Sequence, residues 1–298
     1  MMKKEGDPTI SPPPESRHRL GLGAIIQRIA HLSDVHVLER RSNETSSYSL
    51  STRVVSIHRR LDGEARAIKM KLALDSAKRA RADHIVISGD LTELGTPKQF
   101  ERFAEVLHDS ALAPEQVTLV PGNHDAYDSR DGWKRAMAGP LRAYAASSAG
   151  EPGHVVDRGG FAILPIDASR HQSIARSGGE LTSDAADALE RRTFDLALQK
   201  KATIVVLHHP PFGNSSNPWH FIDGLRGYGR LLNLLEKHPN LHLLHGHRHR
   251  IIDRIVGGTG KNRVFGASGT VDDTLGRPRV RLYEVRDRAL ESMGLAAA

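Results

Sequence analysis

The stretches HIVISGD at residues 84–90 and QVTLVPGNHD at residues 116–125 decide the fold predicted for this chain. Each contains a short β-branched apolar run followed by glycine, which is typical of a buried strand in a parallel sheet. Between them, Thr96-Pro97 opens a segment with apolar residues at helical spacing, so the order is strand, helix, strand. The polar residues after both strands therefore meet at one edge of a sheet, where open α/β folds bind ligands.

Three further apolar runs also end in polar residues. Residues 28–33 lead to Asp34-Val35-His36, residues 203–207 to HHPP at 208–211, and residues 241–244 to HGHRH at 245–249. Later short runs at 251–256, 263–267 and 278–285 are separated by glycine-containing turns, and we expect them to form an antiparallel second sheet or edge.

The composition is that of a globular protein without thiol chemistry. The 298 residues are 39% hydrophobic, enough for a sizeable core, and contain no cysteine, so a metal site must use His, Asp, Glu, Asn or water. We expect a disordered tail at 1–23, a single domain at 24–290 and a C-terminal tail at 291–298. We find neither a secretory signal nor an apolar run long enough to span a bilayer, and therefore expect a cytoplasmic protein.

Positive charge is concentrated in one segment. The chain carries a formal charge of +7, and residues 53–81 hold nine Lys or Arg against three acids, in a helical insert that we place at about 51–81. One interpretation is a solvated helix face. The other is a face that meets anionic lipid or a phosphate-rich ligand, with peripheral binding at the inner membrane surface.

The five polar clusters have the composition of a metal site. Imidazole and carboxylate without sulfur suit manganese, iron or zinc. One ion cannot use so many donors, whereas two ions joined by a bridging carboxylate are an arrangement that hydrolyses phosphoryl groups. Any one cluster could be only a turn. Their occurrence after five predicted strands favours the metal site.

These motifs, D-x-H, G-D, G-N-H-D, a His after a buried strand, and G-H-x-H, run in that order from Asp34 to His249 and resemble the calcineurin-like metallophosphoesterase family. The resemblance implies a four-layer α/β/β/α sandwich, two mixed sheets flanked by helices, with the late strands in the second sheet. It also implies two divalent or mixed-valence ions, of Mn, Fe or Zn, bridged by Asp90. The implied ligands are Asp34, His36, Asp90, Asn123, His208, His247 and His249, with His209 open as an alternative to His208.

The resemblance further implies a catalytic pair beside the ions. His124 would contact the phosphoryl oxygen or protonate the leaving alkoxide, and Asp125 would orient its ring. A metal-bound hydroxide would attack phosphorus in line. Additional substrate contacts are expected from His209, Trp219 and His220, although Trp219 and His220 could equally be packed loop residues.

The surroundings of the motifs suggest a substrate class. GDLTE at 89–93 and HHPPF at 208–212 are similar to the branch with cyclic nucleotide phosphodiesterases and glycerophosphodiesterases, so we expect a phosphodiesterase acting on a small phosphoester and do not expect nucleic acid as a partner. The basic segment departs from that branch. It is similar to members that cleave the pyrophosphate of UDP-diacylglucosamine at a membrane surface, which is the alternative. Two hypotheses assign a different kind of function to the chain: a noncatalytic scaffold and a module that binds anionic surfaces.

Overall fold

A computed structural model describes residues 27–40, 48–57, 59–212, 220–258, 260–271 and 278–296. The expected tail at 1–23 and Trp219 lie outside these ranges. The helices are α1 (Leu50–Val55), α2 (Gly63–Arg79), α3 (Pro97–Asp109), α4 (Gly132–Ala138), α5 (Ser183–Thr193), α6 (Leu196–Gln199), α7 (His220–Asp223) and α8 (Tyr228–Lys237). The strands are β1 (Gln27–Leu32), β2 (His84–Ser88), β3 (Val117–Val120), β4 (Val156–Asp157), β5 (Phe161–Pro165), β6 (Gly179–Glu180), β7 (Ala202–Val206), β8 (Leu225–Arg226), β9 (Leu241–His245), β10 (Ile252–Ile255), β11 (Asn262–Gly266), β12 (Arg281–Arg286) and β13 (Ala289–Leu295).

Two mixed sheets form the centre of the fold. The first has the strand order β13-β12-β1-β2-β3 and the second the order β10-β11-β9-β7-β5-β4. The predicted strand, helix and strand of the opening stretch are confirmed as β2, α3 and β3, which pair in parallel with Ile85 opposite Val117. Strands β1, β2 and β3 of one sheet and β7 and β9 of the other thus present their carboxyl ends for a shared site.

Alternation along the strands separates two hydrophobic cores. Phe161 and Ile163 of β5 belong to the core that continues to the first sheet and to α2 and α3. The intervening Ala162 and Leu164 belong to a second core with α5 and α8. Because successive strand residues point to opposite faces, the second sheet is covered on both sides. The expected layered sandwich of two sheets and flanking helices is confirmed.

The last strands divide between the two sheets, so the expectation that the late strands together form the second sheet is wrong. Strands β10 and β11 extend the second sheet, whereas β12 pairs antiparallel with β1 in the first. Buried Arg281 of β12 donates hydrogen bonds to the carbonyls of Ile252 and Gly266, which joins this edge to the second sheet. The expected C-terminal tail is also wrong over residues 291–295, because they continue β13 with Glu291 opposite Glu284.

The basic segment forms two helices, α1 and α2, instead of one. Asp62 lies at the end of the segment between α1 and α2. Its side chain accepts a hydrogen bond from the Ala65 amide at 2.9 Å and so caps the N-terminus of α2. Met70 and Leu74 of α2 are fully buried, and Arg66 is buried with 3% exposure. Part of the positive charge therefore belongs to the interior. Among the described helices, none is long and apolar enough to cross a membrane.

Candidate metal centre

Side chains from the ends of five strands meet at the edge shared by the two sheets. The Nε2 atom of His208, after β7, lies 3.2 Å from Asp90 Oδ2, after β2. The Nε2 atom of His249, after β9, lies 3.0 Å from Asp34 Oδ1, after β1. His208 Nε2 is also 4.0 Å from that Asp34 oxygen, which links the two pairs. The two carboxylates therefore lie between histidines contributed by the two sheets.

The donor atoms fit metal ions. His36 Nε2 and Asn123 Oδ1 are buried and have no hydrogen-bond partner among the described residues, whereas Asp34 Oδ1 and His208 Nε2 are buried and face only ionisable groups of the same cluster. A buried polar atom without a partner costs about 1–3 kcal/mol, so such a cluster needs a compensating group. Nitrogen and oxygen lone pairs that converge in this way are compensated by cations. Three combinations of these side chains can each hold an ion: Asp34, His36 and His249; His36, Asp90 and His124; and Asp34, Asp90 and His208.

Backbone carbonyls and one hydroxyl hold several donors in place. His208 Nδ1 bonds to the Ser88 carbonyl at 2.8 Å, and His247 Nε2 bonds to the Asp223 carbonyl at 3.0 Å. The amide nitrogen of Asn123 donates to the Tyr127 hydroxyl at 2.9 Å, leaving its oxygen free. Such contacts fix the ring or amide so that the other donor atom faces the ion.

His208 and His209, which the sequence left as alternative ligands, have different surroundings in the structure. His208 belongs to an ion-holding group with Asp34 and Asp90. His209 is equally buried, but its Nε2 bonds to the Ser177 carbonyl at 2.7 Å and its ring packs 4.5 Å from that of His247. Neither His209 nor His247 belongs to an ion-holding group found in the described ranges. Contact of His209 with substrate stays a prediction. His220 begins α7, but its side chain lies outside the part of the structure that can be described.

The glycines of the motifs allow these loops to approach one another. A Cβ atom at Gly122 would overlap the Asp90 carboxylate, and one at Gly89 would overlap the His208 ring. Gly89 also has a φ of +97°, a conformation that L side chains rarely adopt. Glycine is thus required beside two of the donor residues.

Five of the expected ligands have left-handed backbone conformations themselves. The φ angle is +53° at Asp34, +46° at His36, +50° at Asp90, +66° at His247 and +50° at His249. Such conformations cost non-glycine residues on the order of 1 kcal/mol or more each, and they cluster at functional sites. The surrounding loops and strands hold these five residues in strained conformations.

Burial and neighbouring charges shift the pKa values of the histidines in the centre in different directions. Burial, followed by the charge of Arg59, holds the pKa of His36 well below its usual value, and burial and then His209 do the same for His247. Burial also opposes protonation of His208, but the Asp90 carboxylate outweighs it and raises the pKa of His208 to about 9. His36 and His247 are therefore neutral donors, whereas His208 must release a proton to bind a cation.

His124 is held differently from the sequence-based expectation. Its Nδ1 bonds to the Glu93 carbonyl at 2.8 Å, and its Nε2 lies 3.9 Å from Asp90 Oδ2 on a side chain that is 12% exposed. Asp125 does not orient this ring, so that expectation is wrong. Both Asp125 oxygens instead accept hydrogen bonds from the amides of Leu91, Thr92 and Gly122 and from the Thr92 hydroxyl. Asp125 therefore fastens the loop after β2 to the loop after β3.

Two supporting residues were not identified from the sequence. Tyr127 holds Asn123, and Glu93 lies behind His36 and His124. Glu93 is part of GDLTE, but an acid three residues after Asp90 carries no distinctive signal. The partners of Glu93, Arg59 and Arg66, come from the basic segment, so only the folded chain brings them together.

Comparison with known proteins finds a matching family model and curated relatives. Residues 27–250 match the family model described as calcineurin-like phosphoesterase. The glycerophosphodiester phosphodiesterase GpdQ of Enterobacter lignolyticus is 28% identical over 227 residues, covering 75% of this chain and 71% of that protein. A 3′,5′-cyclic-nucleotide phosphodiesterase of Nostoc is 23% identical over 224 residues, with 74% and 71% covered.

Solved structures share the fold at low identity. A dimetal phosphatase from Danio rerio superposes with a TM-score of 0.54 and 14% identity, over 91% of this chain and 99% of that one. A purple acid phosphatase from yellow lupin gives a TM-score of 0.56 and 13% identity, over 91% of this chain and 52% of that one. At these identities the likeness concerns the fold alone.

Proposed function

We propose, since this chain belongs to the calcineurin-like phosphoesterase family, that its metal centre hydrolyses phosphodiesters. The chain is a metal-dependent phosphoric ester hydrolase. The observation that carries the proposal is the convergence of buried nitrogen and oxygen donors on Asp34 and Asp90 from both sheets.

The donors divide into two sets that share Asp90. One set is Asp34, His36, Asp90 and His249, and the other is Asp90, Asn123, His208 and His247. Two ions held there would activate a water molecule and stabilise negative charge on the phosphoryl oxygens. The mixture of imidazole, carboxylate and amide donors suits manganese, iron or zinc.

His124 would act on the substrate. Its Nδ1 donates to the Glu93 carbonyl at 2.8 Å, so Nε2 is the nitrogen left for another partner. That atom is directed toward Asp90, where the reacting phosphoryl group would bind. We therefore assign to Nε2, in the doubly protonated ring, a hydrogen bond to a phosphoryl oxygen or delivery of its proton to the leaving alkoxide, which leaves the ring neutral with its proton on Nδ1.

The two curated relatives are named for glycerophosphodiesters and cyclic nucleotides, which supports a small diester as substrate. The protein should be assayed with manganese on bis(p-nitrophenyl) phosphate, cyclic AMP, glycerophosphocholine, a UDP-sugar pyrophosphate and the monoester p-nitrophenyl phosphate. We expect kcat/KM for the best diester to exceed that for the monoester by about tenfold or more.

Metal removal is the control in the same assay. Chelation should abolish hydrolysis and manganese should restore it, because the donor atoms require cations to act. Faster hydrolysis of the monoester would contradict the diesterase proposal, and preference for the UDP-sugar would favour the lipid-linked pyrophosphate. A purified protein that binds no metal would favour a noncatalytic scaffold.

A specific observation favours a second partner, an anionic membrane surface. Leu50 and Val54 are 77% and 52% exposed and lie four residues apart on one face of α1, and Ile57, two residues beyond the helix, is 76% exposed. Arg53 lies in the same helix and is exposed, and the Arg60 side chain is 83% exposed. An apolar face with basic residues nearby is a pattern that binds peripherally to anionic lipid.

Co-sedimentation with vesicles tests this partner. We expect binding to vesicles containing phosphatidylglycerol, weaker binding to phosphatidylcholine alone, and a steep loss with added salt. Ile57→Ser should weaken binding, whereas Leu196→Ser, which alters a residue 71% exposed on α6, should not. Equal binding to neutral and anionic vesicles would contradict an electrostatic membrane contact.

A further inference from the structure

The buried Glu93 carboxylate lies next to two histidines of the metal centre, His36 and His124. The Glu93 side chain is fully buried, and its Oε1 accepts a hydrogen bond from Arg59 at 2.6 Å. Its Oε2 accepts one from Arg66, whose side chain is 3% exposed. A buried carboxylate is costly unless it is paired and hydrogen-bonded, and two guanidinium groups supply that compensation here.

The same carboxylate faces the His36 ring from the side opposite the metal centre. His36 Nδ1 lies 3.6 Å from Glu93 Oε2, while His36 Nε2 lies 3.9 Å from Asp90 Oδ2. A neutral imidazole has one N–H and one lone pair, and an ionised carboxylate can only accept. Glu93 thus favours the proton on Nδ1 and leaves the Nε2 lone pair facing Asp90.

Glu93 also contacts the histidine assigned to the substrate. Its backbone carbonyl accepts the hydrogen bond from His124 Nδ1 at 2.8 Å, and its Oε1 lies 3.8 Å from that nitrogen. The rings of His36 and His124 are 4.5 Å apart, edge to face. One residue is therefore adjacent to the Nδ1 atoms of both rings.

The arginines connect this arrangement to the basic segment. Arg66 donates to the His36 backbone carbonyl at 2.9 Å and to Ser56 Oγ at 3.2 Å. Arg59 donates to the Val55 carbonyl at 3.0 Å as well as to Glu93. The connection between α1 and α2 is thereby fastened to the loop that carries His36.

We propose that Glu93 is a positioning residue, which sets the tautomer of His36 and the orientation of both His36 and His124, with Arg59 and Arg66 as its counter-charges. The inference rests on the proposed metal-dependent function. It implies that Arg59 and Arg66 of the basic segment stabilise the metal centre through their pairing with Glu93. Removing such a partner of a metal-binding histidine lowers metal affinity by about 10–100-fold in other sites.

Glu93→Gln is the test, because it keeps the shape and removes the charge. We expect manganese affinity measured by calorimetry to fall by about 10–100-fold. In the zinc-loaded protein, ¹⁵N–¹H correlation spectra should show His36 protonated on Nδ1 in the wild type and altered in the variant. Glu284→Gln is the matched control, since Glu284 of β12 is 4% exposed and also pairs with two arginines, Arg28 of β1 and Arg286 of β12. It should leave both measurements unchanged.

The outcomes separate this inference from the proposed function. A wild-type protein that binds no metal would overturn the function itself. If the wild type binds metal and Glu93→Gln matches it in affinity and His36 tautomer, the positioning role is overturned and the function stands. Equal losses in Glu93→Gln and Glu284→Gln would also overturn the role. If Glu93→Gln fails to fold, Glu93→Asp decides, because it keeps the charge but withdraws it from His36, and unchanged affinity would overturn the proposal.

Discussion

Asp90→Ala is expected to lower kcat/KM for a phosphodiester by about 10³-fold or more, equivalent to about 4 kcal/mol of transition-state stabilisation. Asp90 Oδ2 lies 3.2 Å from His208 and 3.9 Å from His36, so its loss removes the oxygen shared by the two proposed ligand sets. Its Oδ1 also accepts the His124 amide hydrogen bond at 2.9 Å. Hydrolysis of bis(p-nitrophenyl) phosphate with manganese, together with metal content, measures the effect.

Asp167→Ala is the control for that variant. Asp167 also follows a strand of the fold, β5, and is partly buried, but its carboxylate accepts hydrogen bonds from Ser169 and belongs to none of the ion-holding groups of the described residues. We expect it to retain two ions and most of the activity. Equal rates in the wild type and Asp90→Ala would exclude Asp90 as the bridging ligand.

His124→Ala is expected to lower kcat by about 10²–10⁴-fold while the protein keeps both metal ions. His124 Nε2 is the ring nitrogen without a backbone partner, and the proposed role puts it on the substrate. If it protonates the leaving group, the loss should be greater for an alkoxide leaving group than for p-nitrophenolate, which departs without a proton. Comparison of glycerophosphocholine with bis(p-nitrophenyl) phosphate measures that difference.

The alternative role for His124 is metal binding, because one ion-holding group contains His36, Asp90 and His124. Loss of metal content in His124→Ala as complete as in Asp34→Ala would assign His124 to the ion. His154→Ala provides the control, since the His154 ring also bonds to a backbone carbonyl, that of Ala146, at 3.1 Å, away from the centre. It should leave kcat and metal content unchanged.

The sequence was sufficient to predict which polar residues meet at one edge of the fold, because that depends on residue type and order along the chain. Asp34, Asp90 and His208 follow apolar runs, and parallel strands bring such positions to one edge. The role of Asp125 was not predictable, because its four donors come from loops whose approach depends on the packed sheets. The place of β12 was missed for a similar reason: local pattern identifies a strand but not the neighbour with which it pairs.

The basic segment shows another limit of sequence patterns. A count of Lys and Arg does not distinguish exposed Arg53 from Arg66, which is buried against Glu93. That distinction requires knowing which side of α2 packs on the first sheet, where Met70 and Leu74 are buried. Charge counted along the chain therefore overestimated the charge available to an external partner.

The left-handed backbone of Asp34, His36, Asp90, His247 and His249 sets stability and activity in opposition. Glycine would relieve the strain at each of these positions, yet it would remove a donor atom. Selection for thermal stability alone would therefore favour sequences that lose catalysis, and the present side chains persist only under selection for the reaction. Stabilisation of this enzyme by directed evolution should accordingly hold these five positions fixed and seek its gains elsewhere.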